Sequence, residues 1–116
     1  MTSNNCIFCD IANNKTTTTL LYSSEEIIAF NDLKPQAPQH LLIVPKKHLT
    51  SLNEAKAEDS LLLGSLLTTA ASLAKTLEIA TSGYRLILNT NAQGGQTVFH
   101  LHLHLLGGRE LQWPPG

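Results

Sequence analysis

The hydrophobic pattern of the chain changes period from segment to segment. In residues 6–13 (CIFCDIAN), Ile7, Phe8, Ile11 and Ala12 fall at helical spacing and predict a short helix. The threonine run 16–19 leads into a short predicted strand at 20–22, and a turn follows at 23–25. Residues 27–31 (IIAFN) and 40–44 (HLLIV) are compact apolar runs of strand length. Between them, Pro35 and Pro38 stiffen a loop over 32–38. Residues 54–78 place leucines and small residues at helical spacing and predict one long helix. Its acidic start, Glu54, Glu58 and Asp59, reads as a solvated first turn favoured by the helix dipole. A fourth strand is predicted at 84–89 and a glycine-containing loop at 90–96. The strictest pattern comes last. Over 98–106 polar and apolar residues alternate, predicting a strand with Val98, His100, His102, His104 and Leu106 on one face. Phe99, Leu101, Leu103 and Leu105 take the other face. Residues 1–5 are polar and read as a loose terminus. This order predicts an α+β fold: a five-stranded, mostly antiparallel sheet with one long and one short helix, in a single domain over 1–116.

Composition narrows the function. The net charge of −1 supplies no basic field, so neither nucleic acid nor a membrane surface is an expected partner. No apolar run approaches the roughly 18 residues of a membrane span, and no charged segment precedes an apolar one as in a signal peptide. Two cysteines make no disulfide framework, and a reducing, cytoplasmic location is expected.

Candidate chemistry concentrates on the histidines. Imidazole is the side chain best fitted to proton transfer near neutral pH, and three of the five lie in the last predicted strand. The loop Gln93-Gly94-Gly95-Gln96-Thr97 runs into it, and glycines there allow backbone amides to approach an anion. Together these suit a phosphate site. Cys6 and Cys9 form a C-x-x-C pair whose thiols share one helical face. A redox motif would be expected in a βαβ setting, which the pattern lacks. Two buried thiols and a metal site remain, and His48 and His100 would complete a Cys₂His₂ set.

Residues 96–106 (QTVFHLHLHLL) resemble the His-φ-His-φ-His-φ-φ signature of the histidine triad (HIT) family, φ being apolar. Residues 29–40 resemble the family's nucleoside-binding strand and loop, and 40–48 its next segment. Gly107-Gly108-Arg109 and the terminal Trp113-Pro114-Pro115-Gly116 are similar to the Hint-like branch, the purine nucleoside phosphoramidases.

The resemblance implies a HIT-like fold and a hydrolase that releases AMP or GMP from nucleoside 5′-phosphoramidates or acyl nucleotides. His102 would be the nucleophile, forming a nucleotidyl-histidine. His104 would stabilise charge on the phosphate oxygens, and His40 would stand beside the catalytic imidazole. Thr97 takes the place of a usual Ser near the leaving group, and Asn89 and Gln96 would contact phosphate or leaving group. Asp32 would accept from the ribose hydroxyls, and Ile7, Phe8, Ile11, Phe30 and Leu33 would hold the purine base. Asn31 stands where relatives often carry His. His104 speaks against nucleotidyl transfer, since the uridylyltransferase relatives carry Gln there.

Members with an N-terminal C-x-x-C imply a structural zinc ion on Cys6, Cys9, His48 and His100, with no cofactor needed for catalysis. The family also implies a homodimer with a continuous ten-stranded sheet, the C-terminal tail reaching the partner's site. The alternatives are a dinucleoside polyphosphate hydrolase and a zinc-stabilised interaction module without activity.

Overall fold

A computed structural model describes residues 5–116. Of the terminus expected to be loose over 1–5, all but Asn5 lies outside the described residues. The chain runs α1 (Ile7–Ala12), β1 (Tyr22–Ser23), β2 (Ile27–Asn31), β3 (Gln39–Pro45), α2 (Ser60–Thr76), β4 (Tyr84–Ile87) and β5 (Leu103–Gly107). The five strands form one sheet in the order β1-β2-β3-β5-β4, and every neighbouring pair is antiparallel.

Strand alternation sorts the core into two layers. Ile27, Ala29, Leu41, Ile43, Leu103 and Leu105 point to one face and pack on Leu62, Leu66, Ala70, Leu73 and Ala74 of α2. Ile28, Phe30, Leu42 and Val44 point to the other and pack on Cys6, Phe8, Cys9 and Ile11 of α1 and its cap. The apolar runs of β2 and β3 are continuous because both faces of the sheet are covered. His104 sits on the α1 face, on one rung with Leu42 of β3 and Ile87 of β4.

Several expectations are corrected. The histidine strand is shorter than 98–106, because β5 begins at Leu103. Upstream of it the Leu101 amide donates to Leu49 O at 2.7 Å and the His102 ring bonds back to His100 O at 2.7 Å, a bent path outside the sheet ladder. As a result Phe99 is 52% exposed and does not join the leucine face.

The long helix begins at Ser60, not at residue 54. Ala55 and Lys56 are extended, and only short 3₁₀ turns, Leu52–Glu54 and Ala57–Asp59, precede it. Its far end is set by Glu78 at φ 61°, after which Ile79 bonds back to Ala74 O and turns into the core. The fourth strand stops at Ile87 rather than at residue 89.

The acidic start is not a solvated turn. Asp59 is 3% exposed, its carboxylate meeting Lys47 Nζ at 2.6 Å and accepting from the Lys56 amide at 2.9 Å. It therefore clamps the end of β3 to the start of α2. The Lys47 hydrogen bond, then the Lys56 amide, hold the Asp59 carboxyl below its usual range. A carboxyl lowered on folding contributes stability above its unfolded pKa of about 3.9, and that contribution fades as pH falls through the folded value. Asp59→Asn is therefore expected to lower Tm at pH 7, with the gap to wild type closing as pH drops below about 4. Thermal melts of both proteins across pH 3–8 check this.

Candidate active site and metal cluster

The loop 32–38, the cap of α1 and the bend before β5 meet on the α1 face of the sheet. They enclose a cavity of about 320 Å³. Ile7, Phe8, Ile11, Phe30, Asn31 and Leu33 line its apolar end, and Asp32, Thr97, His102 and His104 its polar end. Sequence reading missed three wall residues, Thr18, Leu42 and Val98. Leu42 and Val98 carry only ordinary apolar patterning, and Thr18 lies in the threonine run. His40, Asn89 and Gln96 are not in the wall. The Gln96 side chain serves the backbone instead, accepting from the Asn91 amide and donating to Thr50 O and Val98 O. Asn89 lies beneath the glycine turn, its Nδ2 3.8 Å from where a Cβ on Gly95 would stand.

His102 is 8% exposed, with the edge of Phe8 against it and ring centroids 5.0 Å apart. Its Nδ1 lies 2.7 Å from His100 O, an acceptor only, so Nδ1 carries the hydrogen and Nε2 keeps its lone pair. Burial pushes its pKa below the usual 6.5, which favours the neutral ring that a nucleophile requires. His104 stands beside it, centroids 5.0 Å apart, and burial followed by the His102 and His40 charges takes it down to about 4.

His40 orders the next link. The Gln36 N–H donates to His40 Nδ1 at 3.0 Å, so the neutral ring carries its hydrogen on Nε2. That nitrogen is 2.9 Å from His104 Nδ1 and 3.4 Å from an Asp32 oxygen. When it donates to His104, the second imidazole accepts at Nδ1 and is left with its own N–H at Nε2. A directed chain thus runs from the backbone through two rings.

Cys6, Cys9, His48 and His100 form a separate cluster. Their ligand atoms all lie within 4.8 Å of one another, and three of the four residues are buried. Cys6 Sγ is 3.2 Å from His100 Nδ1, Cys9 Sγ is 3.3 Å from His48 Nδ1, and the two Nδ1 atoms are 3.1 Å apart. His100 Nε2 lies 2.7 Å from Pro45 O, which leaves its Nδ1 lone pair to the cluster. The spacings match the edges of a tetrahedron about an ion with bonds of about 2.0–2.3 Å.

Asp32, His40 and His104 also sit close enough to suggest a metal site, but the ring geometry separates the two groups. The His40 and His104 centroids are 5.2 Å apart with nitrogens at 2.9 Å; those of His48 and His100 are 4.7 Å apart with nitrogens at 3.1 Å. In the first pair the nitrogens face each other along the line of centres, as in a hydrogen bond. In the second the nitrogens lie off that line, an arrangement compatible with two ligands of one ion. The fit therefore favours a metal ion on the Cys₂His₂ cluster, and the His100 carbonyl that holds His102 joins that cluster to the cavity.

Residues 13–111 match the HIT domain family. An uncharacterized HIT-like protein of Synechococcus elongatus is 47% identical over 98% of this chain and 99% of its own length. A HIT family hydrolase from Legionella pneumophila superposes with a TM-score of 0.95 at 49% identity, over 97% of this chain and all of that one. A histidine triad protein from Clostridium difficile gives 0.93 at 39% identity, over 97% of both chains.

Proposed function

The chain belongs to the HIT domain family, and on that premise we propose that it is a Hint-like purine nucleotide hydrolase. Its substrates are nucleoside 5′-phosphoramidates or acyl nucleotides, and its intermediate is a nucleotide bound to His102. One observation carries this reading: an imidazole with a fixed tautomer and a free Nε2 opens into the same cavity as a second imidazole, a carboxylate and apolar base-sized walls.

The purine stacks among Phe8, Ile11, Phe30 and Leu33, with Ile7 and Asn31 at the rim. Asp32 accepts from the ribose hydroxyls; its other oxygen takes the Lys34 amide at 2.8 Å, which orients the carboxylate. His102 Nε2 attacks phosphorus opposite the leaving group. The Nε2–H of His104, set by His40, donates to a phosphate oxygen as negative charge builds at five-coordinate phosphorus. Thr97 lines the cavity, and its hydroxyl serves the leaving group in this reading. Asn89 and Gln96 act from beneath, through the glycine turn and the 97–98 backbone.

Cys6, Cys9, His48 and His100 would hold zinc, which ties α1 to the end of β3 and the bend before β5 and does no chemistry at phosphorus. The protein acts as a homodimer. The edge strand β4 and the exposed Leu61 and Leu67 of α2 support this, since both leave apolar or unpaired surface beside the sheet.

Steady-state kinetics with adenosine 5′-phosphoramidate and a diadenosine polyphosphate test the reaction class. The expected kcat/KM is at least tenfold higher for the phosphoramidate, about 1.4 kcal/mol of transition-state preference. A preference for the polyphosphate would replace this reading with the dinucleoside polyphosphate hydrolase.

A further inference from the structure

Gly108 and Arg109 follow β5 and line no part of the nucleotide cavity, yet they lie against the 32–38 loop. That loop carries the Asp32 carboxylate and the Gln36 amide, both of which face His40. Its near end is tied to the sheet, the Asp32 amide donating to His40 O at 2.9 Å. Farther along, Pro35 and Pro38 have no N–H to offer. There the segment after β5 takes hold. Gly108 has φ 93°, and a Cβ on it would stand 2.9 Å from Pro38 Cβ, so glycine lets the chain pass close to the proline ring. Arg109 comes next. Its Nε donates to Gln36 O at 3.0 Å and its Nη1 to Glu110 O at 3.0 Å, two bonds that fix the plane of the guanidinium.

The two groups on the loop decide which way hydrogens run through the paired imidazoles. The Gln36 N–H meets His40 Nδ1 at 3.0 Å, and an Asp32 oxygen lies 3.4 Å from His40 Nε2. Both place the His40 hydrogen on Nε2. His40 then donates to His104 Nδ1 at 2.9 Å, and His104 presents an N–H from its own Nε2. Once the Gln36 amide leaves Nδ1, the opposite arrangement opens. His40 carries its hydrogen on Nδ1 and accepts from His104 Nδ1, and His104 turns a lone pair, not an N–H, toward a phosphate oxygen. The rings stand on β3 and β5, so the strands can stay in place while the polarity of the pair reverses.

We propose that Arg109 is a positioning residue: by holding Gln36 O it keeps the Gln36 N–H on His40, and so keeps the His104 N–H aimed at phosphate. The kinetic part of the proposal rests on the hydrolase reading above; the tautomer control does not.

Long-range ¹H–¹⁵N spectra of the histidine rings test it, since they report which ring nitrogen carries the hydrogen. At about pH 8, above the ordinary imidazole pKa of about 6.5, wild type is expected to show His40 and His104 protonated at Nε2. Arg109→Ala should move both rings toward the Nδ1–H form. Arg109→Lys still donates to Gln36 O and should return them most of the way. Arg85→Ala removes an equal charge from the same surface cavity, where Arg85 bonds to Gln112 O, and should leave the ring nitrogens unmoved. With adenosine 5′-phosphoramidate, Arg109→Ala should lower kcat about tenfold or more and leave KM within about twofold, because the interaction lost is one made in the transition state. Ring nitrogens that stay as in wild type in Arg109→Ala overturn the positioning role whatever kcat does, and so does an equal shift in Arg85→Ala. A wild type that releases no AMP, while Arg109→Ala still moves the nitrogens, overturns the hydrolase reading alone.

Discussion

His102→Ala is expected to lower kcat/KM for an adenosine phosphoramidate by about 10⁴-fold or more, while AMP binding changes only a few-fold. The size follows from what is removed, which is the atom that bonds to phosphorus rather than a contact around it. Alanine leaves the neighbouring structure in place: the other cavity walls come from α1, β2, β3, the 32–38 loop and the segment into β5, and His102 is not a ligand of the cluster. Rapid quench in alkali with labelled substrate should trap label on wild type and none on the variant, because a phosphorus–nitrogen bond to histidine survives base. Equal AMP release by both proteins would end the covalent reading.

The second large effect is on stability. Cys6→Ser is expected to abolish zinc binding at the proposed Cys₂His₂ site and to lower Tm by about 10 °C or more, on the scale of a few kcal/mol for a domain of this size. This variant isolates the metal. The Cys6 side chain also caps α1 by accepting from the Cys9 amide at 3.3 Å, and serine is a preferred residue at that position. Cys9→Ser should be at least as damaging, since Cys9 Sγ approaches both His48 and His100. Chemistry should suffer less than in His102→Ala, because the His102 ring is held by a backbone carbonyl rather than by a ligand side chain. Elemental analysis and melting with and without chelator check this. Less than about 0.1 zinc per unchelated chain, or a Tm unmoved by chelation, would remove the ion from the account.

Much of this architecture could be read before any coordinates. Strand β2 falls at Ile27–Asn31 as expected, because its apolar run is compact and bounded by charge. The cluster of Cys6, Cys9, His48 and His100 was legible as a donor set, though its residues are far apart in the chain. Other features depended on contacts that no local pattern encodes. The alternation over 98–106 has a β period, yet only its second half pairs with β3 and β4, while the first half bends so that Leu101 bonds to Leu49 and His100 joins Cys6, Cys9 and His48. The acidic run at 54–59 resembles a solvated helix start, and only the distant Lys47 turns Asp59 inward. The order of protonation through Gln36, His40 and His104 needs three elements placed to within a few tenths of an ångström.

The double-sided burial of β2 and β3 has a consequence for the unfolded chain. Ile27, Ile28, Ala29 and Phe30, and Leu41, Leu42, Ile43 and Val44, are all buried, and neither run contains a charge. Once released from the sheet, they are uncharged, strand-forming segments that can pair between molecules. The charges that guard them are at their ends: Glu25 and Glu26 before the first, Lys46 and Lys47 after the second. Heating should therefore lead to aggregation faster than to reversible unfolding, and the yield of refolding should depend on these four flanking side chains more than the melting temperature does.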